Sequence, residues 1–549
     1  MELKEWIVTL HRREDLESFY EDMETPGGNL FIPDRAVDVA HRRTISRNTH
    51  YMLTDDEANL VRQDERVWGV DLAELVEITT RPQYTITNGD FDKGWFDSAT
   101  DVNWGLLRHS EATNRSNWGD GGTTQITDNL TITASGKHVD VVIVDGHIDP
   151  AHPEFAVNSD GSGGTRVVQY NWFQNNVGSG TGTYVYPPYV DAGNAQRTDD
   201  NNHGCHCAGT VAGNSQGWAR DANIYNISPY STNPNSLPSS LMWDYIRAWH
   251  NNKPINPVTG RRNPTITNNS YGSSVTPGQN NFGNVTRINY RGVDYNPGRD
   301  LTVAELNARG FYANAVNNYS VPNYFTSRQA DIQDAIDDGI IIVASAGNDY
   351  WKIVNSSDQD YDNTYEMTYF GTNYVWYSHR GTGSGAGYAP IINVGALGND
   401  NNEDKATFSN CGSQVDIFAA GEAINSSVHE KAGDIADPRL SGYNFDKYQG
   451  TSMAGPQVAG VLACLAESWQ NMTQAEAHQW IIDTSGKNLM FDTQTDDATD
   501  VQSLQGAPNR ILRWINQRPE TGNSYPQRNF RPRPATGHTY PRPRIRRRG

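Results

Sequence analysis

Two short stretches constrain this chain more than anything else in it: "VDVVIVD", ending at Asp145, and "GIIIVASAGN", ending at Asn348. Each is apolar at nearly every position instead of every second one. A strand with one wet face alternates, so strands of this kind need cover on both sides. From Trp104 to about Asn516 such strands alternate with helical patterns, separated by long insertions rich in Gly, Asn, Asp and Ser. The alternation predicts an α/β fold, a parallel sheet with helices on both faces. No internal repeat is evident.

The flanks read differently. Residues 1–80 predict a small α+β domain. It has a strand at "EWIVTL" and a helix at "REDLESFYEDM", with Leu16, Phe19, Tyr20 and Met23 at helical spacing. A second strand follows at "THYMLTD", a helix at "DDEANLVRQDERV" and a closing strand at "AELVEIT". Residues 81–103 hold few apolar side chains in any period and predict an exposed connector. Residues 517–549 have six prolines and almost no apolar content. They bury too little to offset the entropy of ordering and predict a disordered basic tail.

Charge sharpens that division. Arg518 to Gly549 carries nine Arg and one Glu, a net of +8, so a chain of total charge −20 has −28 on its remainder. The tail leaves three readings open: contact with nucleic acid or another polyanion, a tether to an acidic partner or to the body of the protein, or a plain solvated tail. With no base-stacking module, sequence-specific nucleic-acid recognition is not expected. The opening "MELKEWIVTLHRRED" has charges where a secretory signal has its apolar run, and no run is long enough to cross a bilayer. A membrane is not an expected partner. The compartment stays open: intracellular, exported by another route, or virus-associated. Four cysteines, Cys205, Cys207, Cys411 and Cys464, are too few for a disulfide scaffold at this length and predict a reduced chain.

Four polar residues then stand out. Asp145 and Asn348 follow the two buried strands. His203 sits where "NNHGCHCAGTVAG" turns from an Asn-rich loop into a small-residue helix, and Ser452 opens the nearly uncharged helix of "YQGTSMAGPQVAGVLACLAESW". Taken one at a time, each has a plain structural explanation as a turn or helix-capping residue. Their order, Asp, His, Asn, Ser, each at a strand end or helix start, is the chain order of one of the convergent serine-hydrolase triads.

These segments resemble the signature motifs of the subtilases, the subtilisin-like serine peptidases. "HGCHCAGTVAG" is close to the histidine motif, above all in the proteinase K branch, which also has Cys at the position of Cys207. "GTSMAGPQVAG" resembles the serine motif, "ASAGN" the oxyanion asparagine motif, and "PTITNNSYGS" the strand that pairs with substrate backbone. "NWGLLRHSEA", "NVGALGNDNNEDKATFSNCGSQVDIFAAG" and "GAPNRILRW" resemble the mature start, the run between the last two motifs, and the C-terminal close.

The resemblance covers about Trp104 to Asn516. It implies a subtilisin-like fold and a serine endopeptidase that cuts polypeptides through an acyl-enzyme, with no cofactor required. Ser452 would attack the scissile carbonyl, His203 would take and return the proton, and Asp145 would orient and stabilise the imidazole. Asn348 and the Ser452 amide would hold the oxyanion, and Ser270 and Gly272 would pair with substrate backbone. Gly450 would allow close substrate approach. Pro456 would fit the first helical turn, where its missing N–H costs little.

The chain also departs from the family. Where subtilases have Asp-Ser-Gly or Asp-Thr-Gly, it has Asp145-Gly146-His147, which removes a hydroxyl beside the carboxylate and adds a histidine that could pair with it. Asp145 is preferred to Asp149 because "VVIVD" is the matching strand. Gly455 and Gln457 replace a Ser and a His. A metal site in "HGCHC" is the minor reading: ligands this close in sequence cannot all face one ion unless the backbone wraps it, and no second pair follows at zinc-finger spacing. Cys207 reads instead as a small buried residue beside the histidine; Cys205 has no assigned role, and a Cys205–Cys207 disulfide is sterically disfavoured.

Acidic loops such as "SSDQDYDNTYE" and "LGNDNNEDK" carry the hard oxygens Ca²⁺ takes, so a structural Ca²⁺ and a solvated acidic loop are both open. By pattern, residues 1–80 resemble the family's inhibitory propeptide. That implies a zymogen whose N-terminal domain acts as an intramolecular inhibitor, with self-cleavage between about Thr79 and Asn103. An ordinary accessory domain is the alternative. A function of another class also fits the altered aspartate motif: a catalytically silent subtilase fold serving as a structural or binding component.

Overall fold

Val141 to Val144 are buried on both faces, as the first stretch requires, and the largest sheet of the molecule is built around them. The computed structural model describes residues 3–32, 39–43, 46–73, 84–85, 103–110, 132, 134–158, 160–168, 170, 172, 202–227, 241–272, 274–275, 285–309, 312–313, 319–322, 324–369, 372–381, 390–399, 403–430, 432–433, 435–495, 500 and 502–515. The expectation for the 517–549 tail, and most of that for the 81–103 connector, falls outside these residues.

The N-terminal segment forms β1 (Lys4–Leu10), α1 (Leu16–Glu24), β2 (Val39–His41), β3 (Asn48–Leu53), α2 (Asp55–Val61) and β4 (Val67–Leu72). The strands make one antiparallel sheet in the order β2-β3-β1-β4. Helix α1 turns Leu16, Phe19, Tyr20 and Met23 into a core with Trp6, Val8 and Leu10 of β1. A Thr54–Glu57 capping box starts α2.

Strand β4, Val67–Leu72, lies just ahead of the expected closing strand "AELVEIT", of which all but Ala73 falls outside the described residues, and α2 ends at Val61 rather than running through Val67. The strand was hidden because its second face meets protein instead of water. Asp71 accepts from the Ser327 amide at 2.9 Å, and the Cβ that Gly69 lacks would lie 2.5 Å from Thr326 Oγ1. Polar and glycine positions here mark close packing, not exposure.

The larger body starts with α3 (Trp104–Ser110) and continues through β5 (Asp140–Val144), β6 (Val167–Val168), α4 (His203–Ala212), β7 (Asn223–Ile227), α5 (Met242–Asn252), β8 (Thr265–Asn269), α6 (Thr326–Asp337), β9 (Ile341–Ser345), β10 (Ile392–Leu397), β11 (Ile417–Ala420), α7 (Thr451–Ser468), α8 (Gln474–Thr484), β12 (Gly486–Lys487) and β13 (Arg510–Ile511). The sheet order is β12-β13-β11-β10-β9-β8-β5-β7-β6, and all neighbours are parallel except β12 and β13. Helices α4 and α7 pack together on one face. On the other, α5 and α6 bury Trp243, Ile246, Ile332 and Ala335 against Val142, Val144, Ile342 and Ala344. This is the subtilisin-like α/β architecture the resemblance implies.

Helix α6 also receives the small sheet, where Arg43 donates to Asp244 at 2.7 and 2.8 Å and to Asp331 at 2.9 Å, all three buried. Two insertions, one between β8 and α6 and one between β9 and β10, join in a separate antiparallel sheet of Val285–Tyr290, Val293–Tyr295, Thr364–Tyr369 and Thr372–Tyr377.

Candidate active site

Register places the first two candidates. Val144 of β5 stands beside Asn269 of β8, which stands beside Ala344 of β9. The next residues out, Asp145 and Ser270, therefore leave the carboxyl edge together, and Asn348 follows from β9. That edge is where open α/β sheets hold ligands.

Helix α4 brings His203 to the same edge. Asn202 starts it in the left-handed region (φ 63°), which Asn tolerates. Gly204 lets the first turn sit against the Asp145–Gly146 turn, since a Cβ there would be 2.1 Å from the Gly146 carbonyl oxygen. His203 Nδ1–H consequently donates to Asp145 Oδ1 at 2.7 Å and Oδ2 at 2.9 Å. A carboxylate can only accept, so Nδ1 carries the proton and Nε2 is the basic nitrogen. Burial pulls the imidazole down, but the Asp145 carboxylate, aided by the Cys207 thiol, outweighs it and holds the ring well above the ordinary 6.5. The Gly146 amide also donates to Asp145 Oδ1 at 2.7 Å, a backbone donor beside the carboxylate in the motif that lacks the family's hydroxyl. Asp149 is engaged elsewhere, accepting from the amides of Ala151 (3.1 Å) and Glu430 (3.3 Å).

Ser452 is the second residue of α7. Gly450 precedes that helix with φ 153°, a conformation that favours glycine. The serine hydroxyl donates to the Ser270 carbonyl at 3.2 Å. Its own carbonyl accepts from Ser270 Oγ at 3.0 Å and from Cys207 Sγ at 3.4 Å. Cys207 Sγ is also 3.8 Å from His203 Nδ1, so one thiol touches both residues. Pro456 corrects the sequence expectation: it is the sixth residue of α7, not in the first turn. Its missing N–H is the one that would have bonded the Ser452 carbonyl, four residues back, and that carbonyl is used for these side-chain contacts instead. Gln457 accepts from Trp218 Nε1 at 2.6 Å and donates to Asn103 at 3.0 Å, tying the helix to the segment before α3.

Asn348 is oriented by Thr451, a residue sequence reasoning passed over. Asn348 Oδ1 accepts from the Thr451 amide at 2.8 Å and its hydroxyl at 2.7 Å, while that hydroxyl accepts from the Gly347 amide at 3.0 Å. With its oxygen committed, the carboxamide presents Nδ2. The spot a Gly450 Cβ would fill is 3.3 Å from Asn348 Nδ2 and 3.5 Å from the Ser452 amide, so two N–H donors border one small space. The only sequence hint of Thr451 was its place inside "GTS".

The four side chains of "HGCHC" split: His203 and Cys207 meet, while His206 and Cys205 turn to other partners. His206 Nε2 lies 2.9 Å from the Ile424 carbonyl and 3.2 Å from that of Asp446, its ring stacks on Tyr448, and Cys205 faces Ser427 Oγ at 3.9 Å. All four cysteines are buried, and none is in a disulfide. Among the described residues one side-chain cluster has metal-like spacing, Asp145, His203 and Cys207, and it is the site just described. In the acidic loops several of the described carboxylates are paired with cationic side chains. Lys352 and Arg291 sit on Asp360 at 2.8 and 2.6 Å, Arg380 pairs with Asp362, and Glu403 pairs with Arg108. No described helix is long and apolar enough to cross a membrane.

Fold and site together define a class: an α/β protein with a carboxylate–imidazole pair and a helix-borne serine at the carboxyl edge of its sheet. The chain belongs to the subtilase family, whose sequence model matches residues 136–510. It is 25% identical over 268 residues to subtilisin-like protease 1 of Pseudogymnoascus destructans, covering 49% of this chain and 43% of that one. It is 25% identical over 397 residues to a cuticle-degrading serine protease of Arthrobotrys oligospora, covering 72% and 66%. The chain thus spans less than two thirds of these relatives. Among solved structures it resembles fervidolysin of Fervidobacterium pennivorans, a keratinolytic enzyme related to subtilisin, at 18% identity and a TM-score of 0.49 over 92% of this chain and 60% of that one.

Proposed function

We propose that the chain is a serine endopeptidase acting on polypeptides. The observation that supports this most is the buried Asp145–His203 pair beside a serine held by backbone and side-chain contacts at the start of α7. Ser452 Oγ attacks the scissile carbonyl as its proton passes to His203 Nε2. The imidazolium that forms is stabilised by Asp145 and returns the proton to the leaving amine. Asn348 Nδ2 and the Ser452 amide receive the oxyanion. Ser270 and Gly272 pair with substrate backbone.

The chain is also proposed to be a self-processing proenzyme with residues 1–80 as its inhibitor. Tyr84–Thr85 supports this reading, because it pairs antiparallel with Tyr448–Gln449, directly before Ser452. That described part of the connector is a two-residue strand. Tyr84 stands opposite Gln449 and Thr85 opposite Tyr448, so the N-terminal end of this strand is the one nearer Ser452, and the proposed cut lies between Thr79 and Tyr84. A fluorophosphonate probe should label the folded protein and spare Ser452→Ala, and the N-terminus of the labelled form should fall in that interval. Folded protein that takes no label would sink the peptidase reading.

A further inference from the structure

The loop that carries Asn348 is buckled from behind by one fully buried side chain, Asn410. Asn410 Nδ2 donates to the Ala346 carbonyl at 2.7 Å. Its Oδ1 accepts from the amides of Asp349 at 3.0 Å and Trp351 at 2.9 Å, and its own amide donates to the Gly347 carbonyl at 2.9 Å. A carboxamide has the donors and acceptor of a peptide group, so it can bond both limbs of the turn that follows β9. The turn needs such a brace. Gly347 has φ 103° and Tyr350 has φ 62°, and a left-handed tyrosine is strained, so its surroundings must enforce it. The Tyr350 amide is fixed at 3.1 Å to the Phe408 carbonyl, two residues before Asn410.

Asn348 is thus held on two sides, by Thr451 through its side-chain oxygen and by Asn410 through the backbone on either side of it. We propose that Asn410 is a positioning residue for oxyanion stabilisation, acting only through Asn348. This rests on the peptidase reading above. Displacing a donor by about 1 Å can cost on the order of 100-fold in rate, so Asn410→Ala should lower kcat by about 10- to 100-fold with KM within about twofold.

The test is a double-mutant cycle on active-site-titrated protein, so that only folded molecules are counted. Asn348→Ala should lose about 100- to 1000-fold in kcat, a size taken from a subtilisin asparagine, and Asn348→Ala/Asn410→Ala should be no slower than Asn348→Ala alone. Asn410→Ser, which keeps a small acceptor for the Trp351 amide, should fall between wild type and Asn410→Ala, and replaces it in the cycle if the alanine variant does not fold. Additive losses in the double variant, or a lowered melting temperature with kcat intact, overturn the proposal. An unchanged kcat in Asn348→Ala by itself overturns instead the role given to Asn348.

Discussion

Pro456 has no N–H for the carbonyl of Ser452, and that carbonyl is taken by Ser270 Oγ and Cys207 Sγ at 3.0 and 3.4 Å. A proline inside a helix ordinarily costs about 3 kcal/mol; here the released acceptor anchors Ser452, the proposed nucleophile. Pro456→Ala supplies the missing donor, and the helical bond then competes with both side chains. The variant should melt higher in thermal unfolding and turn over about tenfold more slowly in a peptide assay, because Ser452 is drawn back into its helix. An equal kcat would show that the two contacts do not position the serine.

The His203–Asp145 pair sets a pH dependence with opposite signs for activity and stability. The imidazole is raised well above 6.5 by Asp145, and only the neutral ring can accept the serine proton, so kcat/KM should climb through an alkaline limb and be lost as pH falls. The stability the pair contributes is fully present below the unfolded-state value near 6.5 and disappears as pH rises through the folded value. In Asp145→Asn burial dominates, which should move the limb to lower pH and cut kcat by about 10⁴-fold. A pH–rate profile with an unmoved limb would show that another group is titrating.

Gly450→Ala probes the oxyanion space. The added methyl would stand 3.3 Å from Asn348 Nδ2 and 3.5 Å from the Ser452 amide, where a substrate oxygen is proposed to sit, in a backbone with φ 153°. Stability should fall by about 1–2 kcal/mol from strain, and turnover by about 100-fold or more. Fluorophosphonate labelling rates would fall in parallel, since the probe's oxygen needs the same space.

What could be read in advance follows from where each signal lies. β5 and β9 were legible because four of the five residues in each are apolar, and Asp145, His203, Asn348 and Ser452 because each lies at the end of a strand or the start of a helix. β4 was not, since its Gly69 and Asp71 look like turn residues until α6 is seen against them. The insertion sheet was equally hidden: its strands, such as "VTRINY" and "TYEMTY", mix Thr, Tyr and charge. Thr451 and Asn410 act through hydrogen bonds that span 103 and about 60 positions, and no local pattern encodes those. The Pro456 position depended on where α7 starts, a boundary of a few residues.

Gly455 offers a stabilising change. Asn268 Oδ1 is buried with no hydrogen-bond partner among the described residues, and a Cβ on Gly455 would meet it at 3.6 Å, with Ser345 N and Ser270 Oγ at 3.7 and 3.8 Å, all ordinary contact distances. Gly455→Ser, the residue expected at this place in the family, puts a hydroxyl donor beside the orphan oxygen and replaces a glycine inside a helix. Each effect contributes about 0.5–1 kcal/mol. Urea unfolding should show a higher midpoint at unchanged slope, and Gly455→Ala should recover only the helix part.

Arg43 ties the N-terminal sheet to the body, and its loss should be the most destabilising of these changes. The guanidinium is buried between Asp244 and Asp331, with Ser46 and Asn48 adding bonds of 2.9 and 2.8 Å to Asp331. Arg43→Ala leaves two carboxylates buried beside each other, at a cost of about 3–5 kcal/mol, best measured in a Ser452→Ala background that cannot cut itself. Burial already pushes Asp331 up to about 6 against the pull of Arg43. The folded state therefore binds more protons than the unfolded one between pH 4 and 6, and stability falls as pH rises through that window. Without Arg43 the carboxyl rises further and the window extends upward. The penalty for Arg43→Ala should accordingly be larger at pH 8 than at pH 5. A penalty that does not change with pH would mean that Asp331 meets enough water to ionise without the arginine.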